Sequence, residues 1–151
     1  MYAINSEIDS NVVNTTSHVA CSTQGNGLDK IEGLDNQKEM RTLYLQENII
    51  NKIENMEALL KLDTLNISKN FVSKIENLSH MKLLRTLIIS NNNLTDAASI
   101  KHVVDIPGLH ALDIQSNKID DDPEKILSVL ENCKEVRLGR RRQLALVVSN
   151  T

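Results

Sequence analysis

The sequence is poor in aromatic residues: one Phe, two Tyr and no Trp in 151 residues. Aliphatic side chains must therefore fill any interior. Cysteine is scarce as well. Cys21 and Cys133 are too few for a disulfide framework, and their separation fits no metal-ligand spacing. No apolar run approaches the length needed to cross a bilayer, which excludes membrane insertion through a helix. The opening "MYAINSEIDSNVVNTT" has neither the basic nor the apolar region of a secretory signal. Together these features point to a reducing, cytoplasmic location. In that setting the sequons at Asn14, Asn66, Asn77 and Asn93 are chance.

Positive charge is short through most of the chain. Of 17 basic residues, Arg140, Arg141 and Arg142 stand beyond the last acid. The other 14 face 20 acidic residues over 1–139, a net of −6. That balance suits a phosphate backbone poorly and argues against nucleic acid as a partner.

What the chain does have is a period. Asn26, Asn48, Asn70 and Asn92 stand 22 residues apart, and Asn117 follows 25 later. Before the later four runs one phrase: Met40-x-x-Leu43-x-Leu45-x-x-Asn48, Leu62-x-x-Leu65-x-Ile67-x-x-Asn70, Leu84-x-x-Leu87-x-Ile89-x-x-Asn92 and Leu109-x-x-Leu112-x-Ile114-x-x-Asn117. After it come apolar residues at fixed offsets, as in Ile50, Ile53 and Met56 or Val72, Ile75 and Leu78. This is the leucine-rich-repeat signature. Leu-x-Leu puts both side chains on one face of a short strand. The Asn sits where the strand turns away, and its amide can bond backbone groups that would otherwise be orphaned. The remaining apolar residues recur at about every third position, which suits a turn of helix or 3₁₀. One coil cannot bury its own apolar face, but stacked coils can. A coiled coil fails as an explanation, because Leu-x-Leu followed by Asn is not a heptad.

The expected fold is an α/β right-handed solenoid. It carries a short parallel β-sheet on its concave face and short helices or 3₁₀ turns on its convex face. The expected domain covers residues 24–138 in four to five repeats, with Asn26, Asn48, Asn70, Asn92 and Asn117 as a structural ladder. The longer third repeat should place Ile100, Val103, Val104 and Ile106 on one helical face. In the fourth, Asp122 and Pro123 should start a helix that buries Ile126, Leu127, Leu130 and Cys133. The triplet Asp120–Asp122 lacks the Gly turn and distant Glu of a calcium loop. Residues 1–23 are polar and expected to be poorly ordered. Residues 139–151, "GRRRQLALVVSNT", form an atypical tail with no Asn where one is due; they suggest either a truncated or alternatively spliced product whose pattern ends near Leu138, or an unusual tail that packs over the open edge. Three arginines are weak evidence for an import or phosphate patch.

The chemistry of an active site is not readable. His18, His80, His102 and His110 fall on unrelated faces at no ligand spacing. No phosphate loop and no nucleophile–base set stand out. The chain is expected to be no enzyme and to hold no metal or cofactor. What remains is surface. The x positions around Leu-x-Leu form three outward columns: Thr42/Thr64/Thr86/Ala111, Tyr44/Asn66/Ile88/Asp113 and Gln46/Ser68/Ser90/Gln115. Tyr44 and Ile88 are apolar groups in a polar field, the kind of anchor that binding faces use. A protein partner is the expectation for this face.

The 22-residue unit with Lys-Ile-Glu-Asn, at Lys52–Asn55 and Lys74–Asn77, resembles the short intracellular class of leucine-rich repeats. That class includes a phosphatase-1 regulatory subunit and a spliceosomal protein. Residues 42–78 and 112–138 are similar to repeats of the dynein axonemal assembly factors of ciliated cells; in the second stretch an Asp-Pro-Glu precedes an Ile-Leu-Ser helix. The likeness covers residues 25–138. It lacks that family's first repeats before Gln24, its closing cap and its long acidic region. The resemblance implies a cytoplasmic, cilium-associated adaptor for preassembly of dynein arms. Its partners would be dynein subunits, chaperones or co-assembly factors.

Overall fold

The computed structural model describes residues 13–15, 18–131 and 133–138. Among these residues, seven strands form one sheet in chain order. They are β1 Val13–Thr15, β2 His18–Ser22, β3 Met40–Tyr44, β4 Thr64–Asn66, β5 Thr86–Ile88, β6 Ala111–Asp113 and β7 Glu135–Arg137. From β2 to β7 every neighbouring pair is parallel, as the repeat demands. β1 runs antiparallel to β2, so a hairpin closes the first coil. The sheet thus begins before residue 24, where the sequence pattern puts the boundary, and β2 pairs along β3 through Cys21↔Leu43 and Ser22↔Tyr44. The 139–151 tail lies outside the described residues.

Register follows the repeat. Leu43, Leu65, Leu87, Leu112 and Val136 stand opposite one another on successive strands. Through Leu112 each is at most 1% exposed, and Leu45, Ile67, Ile89 and Ile114 lie buried beside them. The convex layers Ile50–Val72–Leu94, Ile53–Ile75 and Met56–Leu78–Ile100 complete the same core. Each such side chain contributes about 1.5–3 kcal/mol on burial. No aromatic ring is needed, because coil after coil repeats one small aliphatic cross-section.

Two further columns explain residues that the apolar pattern leaves alone. Gly25, Glu47, Lys69, Asn91 and Ser116, each just before an Asn position, all have φ between 54° and 73°. Gly33, Asn55 and Asn77 do the same, at 76°, 56° and 59°. The left-handed region suits Gly and Asn, which accounts for Lys-Ile-Glu-Asn alternating with Lys-Ile-Glu-Gly. Asn55 and Asn77 also donate to the Ile31 and Ile53 carbonyls of the previous coil, at 2.8 and 2.7 Å.

Among the described residues, helices appear only in the last coils. Helix α1, Ala97–Ile100, opens on a capping box in which Asp96 accepts from the Ser99 N–H at 2.7 Å. A 3₁₀ turn, Lys101–Asp105, follows. Ile100, Val103 and Ile106 are buried, but Val104 is 42% exposed. This corrects the expected four-residue face: with three residues per turn, positions i and i+3 eclipse and i+4 is turned away. Gly108 ends the insertion where a Cβ would lie 2.7 Å from the Lys82 carbonyl oxygen. Helix α2, Pro123–Leu130, is capped by Asp122 on the Glu124 N–H, with Pro123 in its first turn. Ile126, Leu130 and Cys133 are buried, and Leu127 is half-buried. Asp121 accepts from the N–H groups of Ala97 and Asp122, so it ties α1 to the start of α2. Those bonds, the one from Ala97 first, hold its carboxyl below the usual range.

Candidate functional site

Four of the five ladder asparagines do what the repeat requires. Asn70 accepts from the Ile50 N–H at 3.0 Å and donates to the carbonyls of Leu45, Ile67 and Ser68 at 2.9, 3.1 and 3.1 Å. Asn48 and Asn92 repeat this set one coil either side. All three are at most 5% exposed. Asn117 makes the same bonds while half-buried. Asn26 departs from the expectation. It is exposed, and the carbonyl that Asn48 meets in the first coil belongs to buried Thr23. The ladder needs a coil on its inner side, and β1–β2 is a hairpin rather than a further repeat.

The seam fixes the strands, and the strands fix the outward columns. Register places Thr42, Thr64, Thr86 and Ala111 side by side, and next to them Tyr44, Asn66, Ile88 and Asp113. The column ends at Glu135 and Arg137 of β7. Thr42, Thr64, Thr86, Asn66, Gln46, Ser68 and Ser90 are half-buried, and Gln115 is exposed. Tyr44 is 36% exposed. Ile88, expected as an equally open anchor, is half-buried, because Asn66 and Asp113 flank it in register.

Several of these groups are held in place by local bonds. Asn66 Oδ1 accepts from the Ser68 N–H and hydroxyl, at 3.1 and 2.8 Å. Asp113 Oδ1 accepts from the Gln115 N–H at 3.0 Å. Gln46 donates to Gln24, and Gln24 to Glu47, so amides bridge the first two coils. A shallow hollow of about 280 Å³ lies over β5–β7, lined by Thr86, Ile88, Ala111, Asp113, Glu135 and Arg137.

Other exposed apolar groups were not singled out from the sequence. Ile49 and Phe71 are 51% and 54% exposed, one residue after successive ladder asparagines, where the chain leaves the sheet. Leu60 and Leu83 are exposed where it returns. The 22-residue spacing of Ile49 and Phe71 was the signal available. Stacked charges also mark the flanks: Lys61 with Glu39, Lys69 with Glu47, and Arg85 with Asp63. Lys61 holds the Glu39 carboxyl below its usual range, and Lys69 with Gln24 does the same for Glu47. All are exposed and screened by water.

Two of the four histidines, His80 and His102, stand 22 residues apart and share one position on successive coils rather than the unrelated faces expected. His80 Nε2 lies 3.1 Å from the Met56 carbonyl, and His102 Nε2 accepts from the Leu78 N–H at 3.0 Å. Both tie one coil to the one before. Because His102 Nε2 is an acceptor, Nδ1 carries the proton and faces Asp105 at 3.4 Å. That imidazole is engaged on both sides and has no free nitrogen to activate a nucleophile. His110 is exposed, and the side chain of His18 lies outside the described residues. Burial pushes the Cys133 thiol up to about 11. Among the described residues, no group of three or more His, Cys, Asp or Glu side chains is placed to hold a metal ion. No described helix is long and apolar enough to cross a membrane.

A leucine-rich-repeat family profile matches residues 6–146. The chain belongs to the leucine-rich-repeat family. Solved structures agree. The U2A′ complex with SNF from Drosophila melanogaster includes a chain that matches at 20% identity and TM-score 0.76, over 97% of this chain and 87% of that one. At that identity the likeness speaks to the fold alone. Internalin C2 of Listeria monocytogenes is 26% identical with TM-score 0.65, over 78% of this chain. A leucine-rich-repeat protein of Leptospira interrogans is also 26% identical, with TM-score 0.55, over 65% of this chain. The chain spans half the length of the internalin and a quarter of the Leptospira protein. No curated protein sequence matches. As in other leucine-rich-repeat solenoids, the sheet is an extended surface backed by a closed core.

Proposed function

We propose that the chain is a non-enzymatic, protein-binding adaptor whose concave sheet receives another polypeptide. The finer reading is an adaptor of the dynein axonemal assembly factor 1 kind, serving cytoplasmic preassembly of axonemal dynein arms and so the formation of motile cilia. Its partners on that reading are dynein subunits, chaperones or co-assembly factors. The observation that carries the adaptor reading is the row Tyr44–Asn66–Ile88–Asp113. These four side chains stand in register outside a fully buried aliphatic layer, so they are free to differ without cost to the core. The cilium-specific reading draws on the resemblance of residues 42–78 and 112–138.

A photo-crosslinking amino acid at Tyr44, with a second at Leu60, exposed outside the concave columns, as the control, tests both levels in extracts of ciliated cells. Crosslinks from position 44 to dynein chains or co-assembly factors are the expected result. A phosphatase-1 catalytic subunit or a spliceosomal protein captured there would replace the ciliary reading and keep the adaptor. Capture at Leu60 with none at Tyr44 would refute the concave surface.

A further inference from the structure

The hollow over β5–β7 departs from the rest of the concave face in three ways. First, the threonine column changes to Ala111. The loss of the hydroxyl and one methyl opens space beside Ile88, above the buried Leu87 and Leu112. Second, charge enters. The face is neutral from Thr42 to Ser90, while the hollow is rimmed by Asp113, Glu135 and Arg137. Third, these charges are unspent. Some opposite charges stacked on neighbouring coils close on each other, as Lys61 with Glu39 at 2.6 Å and Arg85 with Asp63 at 3.8 Å. Asp113 and Arg137 are directly opposed in register, yet they form no ion pair among the described residues. The Gln115 N–H holds the Asp113 carboxylate instead. Glu135 and Arg137 are exposed and likewise unpaired among the described residues.

The geometry points to a docking site for one lysine or arginine side chain of an extended partner segment. This rests on the concave-face reading and names what its far end selects. The methylene stem of such a side chain lies over Ile88 and Ala111, as amphipathic cations cover apolar surface. Its head group meets Asp113 and Glu135, two carboxylates against the single opposing charge of Arg137. The net charge of −3 on the whole chain adds a weak pull on basic segments before contact. Tyr44, three strands away, supplies the apolar anchor at the other end.

Random peptides displayed on phage, selected on the full chain, provide the probe. The expected winners carry Lys or Arg next to aliphatic residues. Asp113→Asn and Glu135→Gln should each weaken such a peptide by about threefold to fivefold, and the loss should shrink in high salt. Arg137→Gln should tighten it. The Asp113→Asn amide still accepts from the Gln115 N–H, so the strand end keeps its bond. Winners that are acidic, or that bind all three variants equally, overturn the basic-guest assignment. If those winners are still lost with Tyr44→Ala, the concave reading survives. Binding indifferent to every concave variant, or a selection that enriches nothing, refutes both.

Discussion

Replacing Asn70 with alanine tests the seam that holds the coils together. The amide takes part in four hydrogen bonds, but their loss is unequal. The Leu45 carbonyl also accepts from Asn48, the Ile67 carbonyl from Asn92, and the Ser68 carbonyl from the Glu47 N–H. Those three acceptors keep a partner in the variant. The Ile50 N–H, buried and bonded to Asn70 Oδ1, does not. One orphaned buried donor costs about 1–3 kcal/mol, and each shared bond contributes about 0.5–1.5 kcal/mol, with less than full additivity. A loss of about 3–4 kcal/mol is therefore expected for Asn70→Ala, a large share of the 5–15 kcal/mol typical of a domain. Asn48→Ala should match it. Asn117→Ala, at a half-buried site, should cost about half as much. Asn26→Ala, at an exposed site, should cost less than Asn70→Ala. Urea unfolding followed by circular dichroism measures all four. Equal costs at Asn26 and Asn70, or a loss at Asn70 below about 1 kcal/mol, would refute the shared-acceptor account.

At Asn55, alanine should cost about 1–2 kcal/mol, through a left-handed φ and the lost bond to the Ile31 carbonyl, while glycine should cost less than half of that; thermal melts of both variants decide. Gly108→Ala should destabilise by about 1–3 kcal/mol, because the new methyl meets the backbone oxygen of Lys82 and not a movable side chain. With its thiol pushed up to about 11, Cys133 in a Cys21→Ser background should resist alkylation at about pH 8, where only about a thousandth of it is thiolate, and react within minutes in urea. Since the charged form is the one disfavoured by the fold, stability should be level below the ordinary thiol range. It should fall as pH rises from that range toward the folded value, and a Cys133→Ala chain should lack that step.

The core was legible in the sequence because it is periodic. Leu43, Leu65, Leu87 and Leu112 report their own neighbours through spacing alone, and so do Asn48, Asn70 and Asn92. The left-handed positions were hidden for the opposite reason. Glu47, Lys69, Asn91 and Ser116 share a backbone conformation but no chemistry, so residue type carries no trace of it. Val104 was misplaced because a helix of 3.6 residues per turn and a 3₁₀ turn differ by one residue only at the fourth position. Asn26 fits the numerical period, but spacing cannot tell that the chain before it folds back as a hairpin. The concave columns were legible as positions. Which of them lie open was not, since the partial cover of Ile88 comes from Asn66 and Asp113 on strands that sequence order alone does not bring into register.

The doubled acceptors along the asparagine ladder carry a consequence for how such a gene can change. Adjoining coils meet through matching sets of donors and acceptors, so cutting out one whole 22-residue stretch, such as 49–70, splices together faces that already fit. Removing 20 or 24 residues instead would leave one coil of odd length at the join, to be absorbed on its convex side as the 25-residue step from Asn92 to Asn117 is. The length of the molecule can thus drift by whole coils at little cost to the seam.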